Sequence, residues 1–252
     1  MRAPTGYLHT ARDVAAVLNL DNSTTGIVTV ADHALLRTSQ DVTMTAWVRA
    51  VSNAEAGFVC GRLYNSPNEG YGMYLDAGTN PLRIGFHGLS FGPQVTDYAL
   101  PPNAFTDWHH YALTFNGSAA SGSRVVSFYL DGDLIDTNTG LTDGIPHPTG
   151  IDYLVGNRTG STLSMFGGDV WDNRVWSRVL SADEIAAVCL GRPVDVTSLV
   201  LWLPLDDASG TTARNLATSG VGNGTLGAGA TWRTKNAYPG VMPFATHTVL
   251  AE

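Results

Sequence analysis

Carboxylates are the first place to look for chemistry in this chain, and glutamates are scarce: Glu55, Glu69, Glu184 and Glu252 are the only four. Retaining hydrolysis of a glycosidic bond needs two carboxyl groups about 5 Å apart, one as nucleophile and one as proton donor. No stretch here carries paired glutamates. Glu184 stands three residues after Ser181, the spacing of a helix capping box. Glu252 is terminal, and Glu55 and Glu69 are expected in turns flanking the strand that contains Cys60. Asp169 and Asp172 are the alternative pair, but a spacing of three along a strand predicts opposite faces. His109 and His110 follow Trp108 with no serine in a nucleophile-elbow pattern. One of these histidines is expected to hydrogen-bond across a sheet while the other faces outward. Cys60 and Cys189 match no metal or redox spacing and are expected as buried free thiols. Residue types and spacing thus point away from catalysis.

The elements that must carry these residues are short and numerous. The 28 glycines and 12 prolines punctuate many brief apolar runs, the pattern of an all-β sandwich. Strands are expected at residues 15–20, 26–30, 42–51, 57–63, 70–75, 82–87, 95–100, 108–115, 125–130 and 134–138. Loops are expected at 89–106 and 139–150, and Asp131-Gly132 reads as a hairpin turn. The segment from Phe166 to Ile185 is the most telling. Val175, Trp176 and Val179 are β-branched or aromatic, and Asp172, Arg174 and Arg178 read as the polar side of a half-exposed strand. Ser181 then caps a short helix near 182–190, with Ile185, Val188 and Cys189 at helical spacing.

That strand-to-helix junction, with its Trp176-Ser-Arg178-Val-Leu180-Ser181 run, resembles the end of a laminin-G-like jelly roll of the concanavalin A-like lectin and glucanase superfamily. Three further segments share the resemblance in order and spacing: Asp41 to Arg49, Trp108 to Gly117 and Val126 to Gly132. The resemblance covers about residues 14–190. It implies a two-sheet antiparallel jelly-roll sandwich with one short helix. Leu199 to Asp207, with Gly224 to Leu226 and Trp232, resembles the segment that normally opens such a domain, displaced here to its end. It is expected to fold back and supply the missing strand, giving a domain over 14–235 with arms at 1–13 and 236–252. Laminarinase-type relatives draw their catalytic pair from a Glu-x-Asp-x-x-Glu strand, which this chain lacks, so the implied activity is non-enzymatic, lectin-like carbohydrate binding. Relatives that bind calcium do so in rim loops, and the oxygen-rich candidates here are Asp21 with Asn22, Asp76 with Asn80, and Asp152 with Asn157. Ca2+ is the one cofactor to be tested. For a sugar, an aromatic platform beside amide or charged groups is required; Tyr64 with Asn65 and Asn68, Tyr98, and Asn157 with Arg158 meet it.

Charge narrows the partners. The net charge is −8 and Lys235 is the single lysine among 14 basic residues, which argues against a nucleic-acid surface. No apolar run reaches a membrane span, so membrane insertion is not expected. The opening Met1 to Tyr7 lacks the apolar core of a secretion signal. Together with the two unassigned arms, this yields the expectation of display on an assembled particle such as a phage capsid or tail. Such a protein is made in the host cytoplasm, or reaches the outside by a signal-independent route. Its expected partners are other virion proteins or further copies of itself, and a cell-surface polysaccharide. The purely structural alternative is a decoration or assembly protein with no sugar binding.

Overall fold

The computed structural model describes residues 16–38, 40–52, 56–65, 68–76, 83–87, 94–95, 100, 104–146, 148–162 and 165–234. In chain order the strands are β1 (Ala16–Asp21), β2 (Val28–Val30), β3 (Asp41–Ala50), β4 (Phe58–Asn65), β5 (Asn68–Asp76), β6 (Arg83–His87), β7 (Gln94–Val95) and β8 (His109–Asn116). They continue with β9 (Arg124–Leu130), β10 (Asp133–Leu141), β11 (Tyr153–Val155) and β12 (Gly167–Trp176). Helix α1 (Ala182–Cys189) follows, then β13 (Leu199–Leu203), β14 (Thr212–Ala213), β15 (Gly224–Leu226) and β16 (Ala230–Thr234). A 3-10 turn spans Ala34–Leu36.

The strands form two antiparallel sheets. The first runs β10-β9-β8-β3-β12-β1-β16, with β13 also pairing with β12; the second runs β14-β15-β2-β11-β4-β5-β6-β7. Strand β12 is long enough to take two partners on one side, β1 along residues 167–170 and β13 along 173–176. The C-terminal strands therefore build both sheets: β13 and β16 join the first, and β14 and β15 the second.

Alternation decides what lies between the sheets. Met44, Ala46 and Val48 of β3, Tyr111, Leu113 and Phe115 of β8, and Val170 and Val175 of β12 face Val59, Cys60, Tyr71, Met73, Phe86, Tyr153 and Val155 of the second sheet, all buried. The Phe86 and Phe115 rings meet across the interface at 5.8 Å. The polar side chain of Asn173 bridges this apolar layer. Asn173 accepts a hydrogen bond from the Tyr153 hydroxyl (2.9 Å) and donates to the Thr45 carbonyl (3.1 Å) and to Cys60 Sγ (3.3 Å).

A second, smaller core lies on the outer face of the first sheet. Ile185 and Val188 of α1 pack with Trp176, Leu180, Leu199, Trp202, Tyr129 and Ala112. The helix starts at a complete capping box: Glu184 N donates to Ser181 Oγ and Ser181 N to Glu184 Oε2. On the second sheet's outer face, Gly61 and Gly72 are directly opposed, and the Phe58 ring lies over Gly72 so closely that a methyl there would stand 2.1 Å from Phe58 Cζ.

Three expectations change. Strand β10 runs to Leu141 because a bulge restores pairing with Arg124, so the loop expected from 139 begins at 142. Glu69 belongs to β5, opposite Tyr64, and not to a turn. Of the strand expected over 95–100, Gln94–Val95 is described and pairs with β6, and residues 96–99 lie outside the described residues. Asp172 and Arg174 are buried, not half-exposed, because each neutralises the other. Both cysteines are buried and free, and burial pushes each thiol up to about 12.

Candidate functional site

At one end of the second sheet, the β4–β5 hairpin pairs Tyr64 with Glu69 and Asn65 with Asn68. The loop after β11 is docked against it. Gly156, whose φ of 100° excludes most side chains, donates its N–H to Val59 and accepts from Phe166. Thr159 N donates to the Leu63 carbonyl (3.0 Å), and Thr159 bridges Tyr64 in parallel. Asn157 holds the loop's shape: Oδ1 accepts from Arg158 N (2.8 Å) and Nδ2 donates to Ser161 O (3.1 Å). Arg158 is half-buried, and burial lowers its pKa, with Tyr74 acting in the opposite sense. Among the exposed large apolar side chains of the described residues, Tyr64 is the only aromatic ring, at 37% exposure.

This geometry brings five of the six sugar candidates to one rim. Tyr64 is partly exposed, Arg158 directly precedes Thr159 in the docked loop, and Asn65 and Asn68 sit at the tip of the same hairpin. Asn157 is 4% exposed and spends its amide on the loop, so its place is to position Arg158 and Thr159. Tyr98 lies outside the described residues.

The metal candidates do not converge. Asp21 Oδ1 accepts from Ser23 N (3.1 Å), the Asx turn that reverses the chain after β1, and Asn22 takes the left-handed φ of 57° that such a turn uses. Asp152 Oδ1 accepts from Asp32 N (2.9 Å). These two carboxylates lie at opposite ends of the β2–β11 pair, since Val28 opposes Val155 and Val30 opposes Tyr153. Asp76 ends β5, and Asn80 lies outside the described residues. Among the described residues no three His, Cys, Asp or Glu side chains gather as a metal site.

The outer face of the first sheet holds the two carboxylates that spacing assigned to opposite sides. A bulge between Trp171 and Arg174 inserts Asp172 at a φ of 52°, which shifts the alternation and turns it to the same outer face as Asp169. Arg174 grips both Asp172 oxygens (2.9 and 2.7 Å), and Trp202 Nε1 donates to one of them (2.8 Å). Asp169 is 1% exposed and takes Arg49 (2.5 Å), Asn19 (2.9 Å) and, at 3.5 Å, Arg233. Both carboxylates accept hydrogen bonds, Asp172 from Arg174 on its own strand and Trp202 of β13, Asp169 from Arg49 of β3 and Asn19 of β1, the arrangement of a structural lattice. A retaining glycosidase needs one such group to deliver a proton.

Trp47 and Trp171 face each other across this lattice at 6.4 Å, Trp47 buried and Trp171 half-buried. The histidine pair departs from expectation. His109 Nδ1 meets Asp131 Oδ2 at 2.6 Å in the β9–β10 turn, whereas His110 is buried against Trp47 with neither ring nitrogen hydrogen-bonded. Burial pulls the His110 pKa down to about 4, with Asp172 opposing the shift, so the ring is neutral at pH 7.

The amino-acid sequence over residues 22–186 matches a laminin-G-type model of the concanavalin A-like lectin/glucanases superfamily. The chain belongs to this superfamily. Strands β13 to β16 lie beyond the matched region yet complete the same two sheets. Among curated proteins none matches. A Bacteroides ovatus protein whose carbohydrate-binding role is itself a proposal superposes with a TM-score of 0.63 at 18% identity. The superposition covers 87% of this chain and 60% of that protein, so the chain spans less than two thirds of its length. A heptameric SAP-like pentraxin of Limulus polyphemus superposes with a TM-score of 0.51 at 12% identity, covering 71% of this chain and 83% of the pentraxin. At these identities the likeness is one of fold.

Sequence reading missed the Asp172–Arg174–Trp202 lattice. The signal was present in Asp-Asn-Arg followed by a displaced Trp, but only a bulge puts all three on one face.

Proposed function

We propose that this superfamily member is a non-enzymatic, lectin-like carbohydrate-binding module whose ligand stacks on Tyr64 at the rim between the β4–β5 hairpin and the 156–161 loop. The observation that carries the reading is the exposed Tyr64 ring. Among the described residues it is the most exposed aromatic side chain, at 37%, and it lies beside the docked loop that holds Arg158. A pyranose offers a C–H face to such a ring and hydroxyls to the groups around it. The carboxylates of the first sheet, each clamped by arginine, support binding over hydrolysis.

The test is an array of bacterial and animal glycans probed with the full chain, with and without calcium. Saturable binding to a defined set of glycans supports the proposal; uniform silence in both conditions overturns it.

The setting proposed for this binding is the surface of an assembled particle such as a phage capsid or tail. The segments 1–13 and 236–252, which match no motif of the family, are proposed as docking arms. Their deletion should abolish incorporation into the particle and leave glycan binding intact. Unchanged incorporation removes the arms from the proposal.

A further inference from the structure

Strand register places a second polar group at the same end of the sandwich as Tyr64. Tyr153 of β11 pairs with Val30 of β2, and Leu154 with Gly61 of β4, so Val30, Tyr153 and Arg62 stand in one row across three strands. Both β2 and β4 are antiparallel to β11 and therefore run in the same direction. Two residues further along each, Asp32 follows Val30 and Tyr64 follows Arg62, on the face that Val30 and Arg62 share. That face is the inner one, because Val30 belongs to the inter-sheet core and Arg62 opposes Tyr71 of the same core. Arg62 reaches Asp32 at 3.2 Å, in keeping with this placement. Asp32 and Tyr64 are then two strand spacings, about 10 Å, apart.

What Asp32 presents there is an arginine. Arg37, on the far side of the 3-10 turn Ala34–Leu36, donates to Asp32 through Nε (3.1 Å) and Nη2. Arg62 and Gly150 N donate to the same carboxylate. Arg62 is fully covered, whereas 30% of the Arg37 side chain is exposed. Gripping Asp32 by one edge fixes the plane of the Arg37 guanidinium and leaves Nη1 on the edge remote from the carboxylate. Charge closes at this junction, Arg37 and Arg62 against Asp32 and Asp152, whose carboxylate accepts from Asp32 N. Exposed donors without net charge around them suit a sugar hydroxyl better than a carboxylate.

On the lectin-like reading of the rim, we infer that Arg37 is a specificity-determining residue of the Tyr64 site and that the ligand is a neutral oligosaccharide. One ring stacks on Tyr64, and another ring of the same chain accepts a hydrogen bond from Arg37. The separation of the two groups is too long for a single pyranose to touch both. Asp32 is the positioning residue, since its carboxylate holds the Arg37 donors in place.

The experiment is titration calorimetry of the full chain with the best array oligosaccharide and with each of its monosaccharides, for the native sequence, Arg37→Ala, Arg37→Lys and Tyr64→Ala. A hydrogen bond from a charged donor predicts that Arg37→Ala weakens oligosaccharide binding about tenfold and leaves the stacked monosaccharide within about threefold of native. Arg37→Lys keeps a positive charge beside Asp32, which protects the fold, but loses the planar fork, and should show the same selective loss. Tyr64→Ala should weaken both ligands. Folded Arg37 variants that bind the oligosaccharide like the native chain, or that lose both ligands equally, overturn the inference while leaving the Tyr64 reading in place. Array binding confined to acidic glycans overturns it as well. Native affinity for both ligands in Tyr64→Ala removes the rim reading itself, and the role of Arg37 with it.

Discussion

Replacing Asp32 by Asn tests the packing at the end of the second sheet. Asp32 is the hub of that region: Arg37 donates to it through Nε and Nη2, Arg62 through Nε and Nη2, and Gly150 through its backbone N–H. An amide keeps the shape and loses the charge, leaving the Arg62 guanidinium buried without its counter-ion. Stranding one partner of a buried pair costs about 3–5 kcal/mol. The Asp32 side chain retains 11% exposure, which favours the lower end, about 3 kcal/mol. Against a domain stability of about 5–15 kcal/mol this is a large fraction.

The effect also has a pH signature. The hydrogen bond from Arg37, opposed by burial and reinforced by Gly150 N–H and Arg62, holds the Asp32 carboxyl down at about 2. A depressed folded-state pKa contributes stability that is complete above the unfolded value and lost as pH falls toward the folded one. The gap between native and Asp32→Asn proteins should therefore be constant from pH 7 to pH 5, shrink by about 1 kcal/mol by pH 3 and by about 2 kcal/mol by pH 2. Urea unfolding of both proteins across that range measures it. A gap that is small at pH 7, or unchanged down to pH 2, would refute the hub.

Three further outcomes follow from the packing. Asn173→Ala and Tyr153→Phe break the same inter-sheet hydrogen bond (2.9 Å), so a double-mutant cycle by urea unfolding should return a coupling of about 1–2 kcal/mol; additive losses would contradict the bridge. Ser181→Ala removes half of the capping box and should cost about 1 kcal/mol in thermal or denaturant unfolding, with no change expected in glycan binding. Cys60, buried and held up at about 12, should resist iodoacetamide at pH 8 in the folded protein and react fully in guanidinium, as read by intact mass; rapid native labelling would contradict its place between the sheets.

The sandwich was legible because its signals are local. Alternation in Asp41 to Ala50 and His109 to Asn116, the Asp131-Gly132 turn and the Ser181–Glu184 box each act over a few residues, and the structure contains all of them. What escaped the sequence was set by residues distant along the chain. The outward turn of Asp172 depends on a bulge whose register is decided by β3 and β13, and Trp202 of β13 supplies one of the donors that make the burial of Asp172 tolerable. The Arg62 junction likewise joins residues 32, 62 and 148. The rim was half legible: hairpin and loop could be nominated from Tyr64 and Asn157, but only the Thr159 to Leu63 hydrogen bond brings them together. That Asn157 faces inward was beyond spacing, because the same Asn-Arg dipeptide serves equally well exposed.

The central claim is that the exposed Tyr64 ring is the sugar platform. Its most direct test is titration calorimetry of the best array ligand against the native chain, Tyr64→Ala and Tyr64→Phe. Stacking predicts that Tyr64→Ala weakens affinity about tenfold, the loss of roughly 1.4 kcal/mol of ring contact, while Tyr64→Phe stays within about threefold of native because the ring face is kept. Native-like affinity in a folded Tyr64→Ala protein would contradict the account.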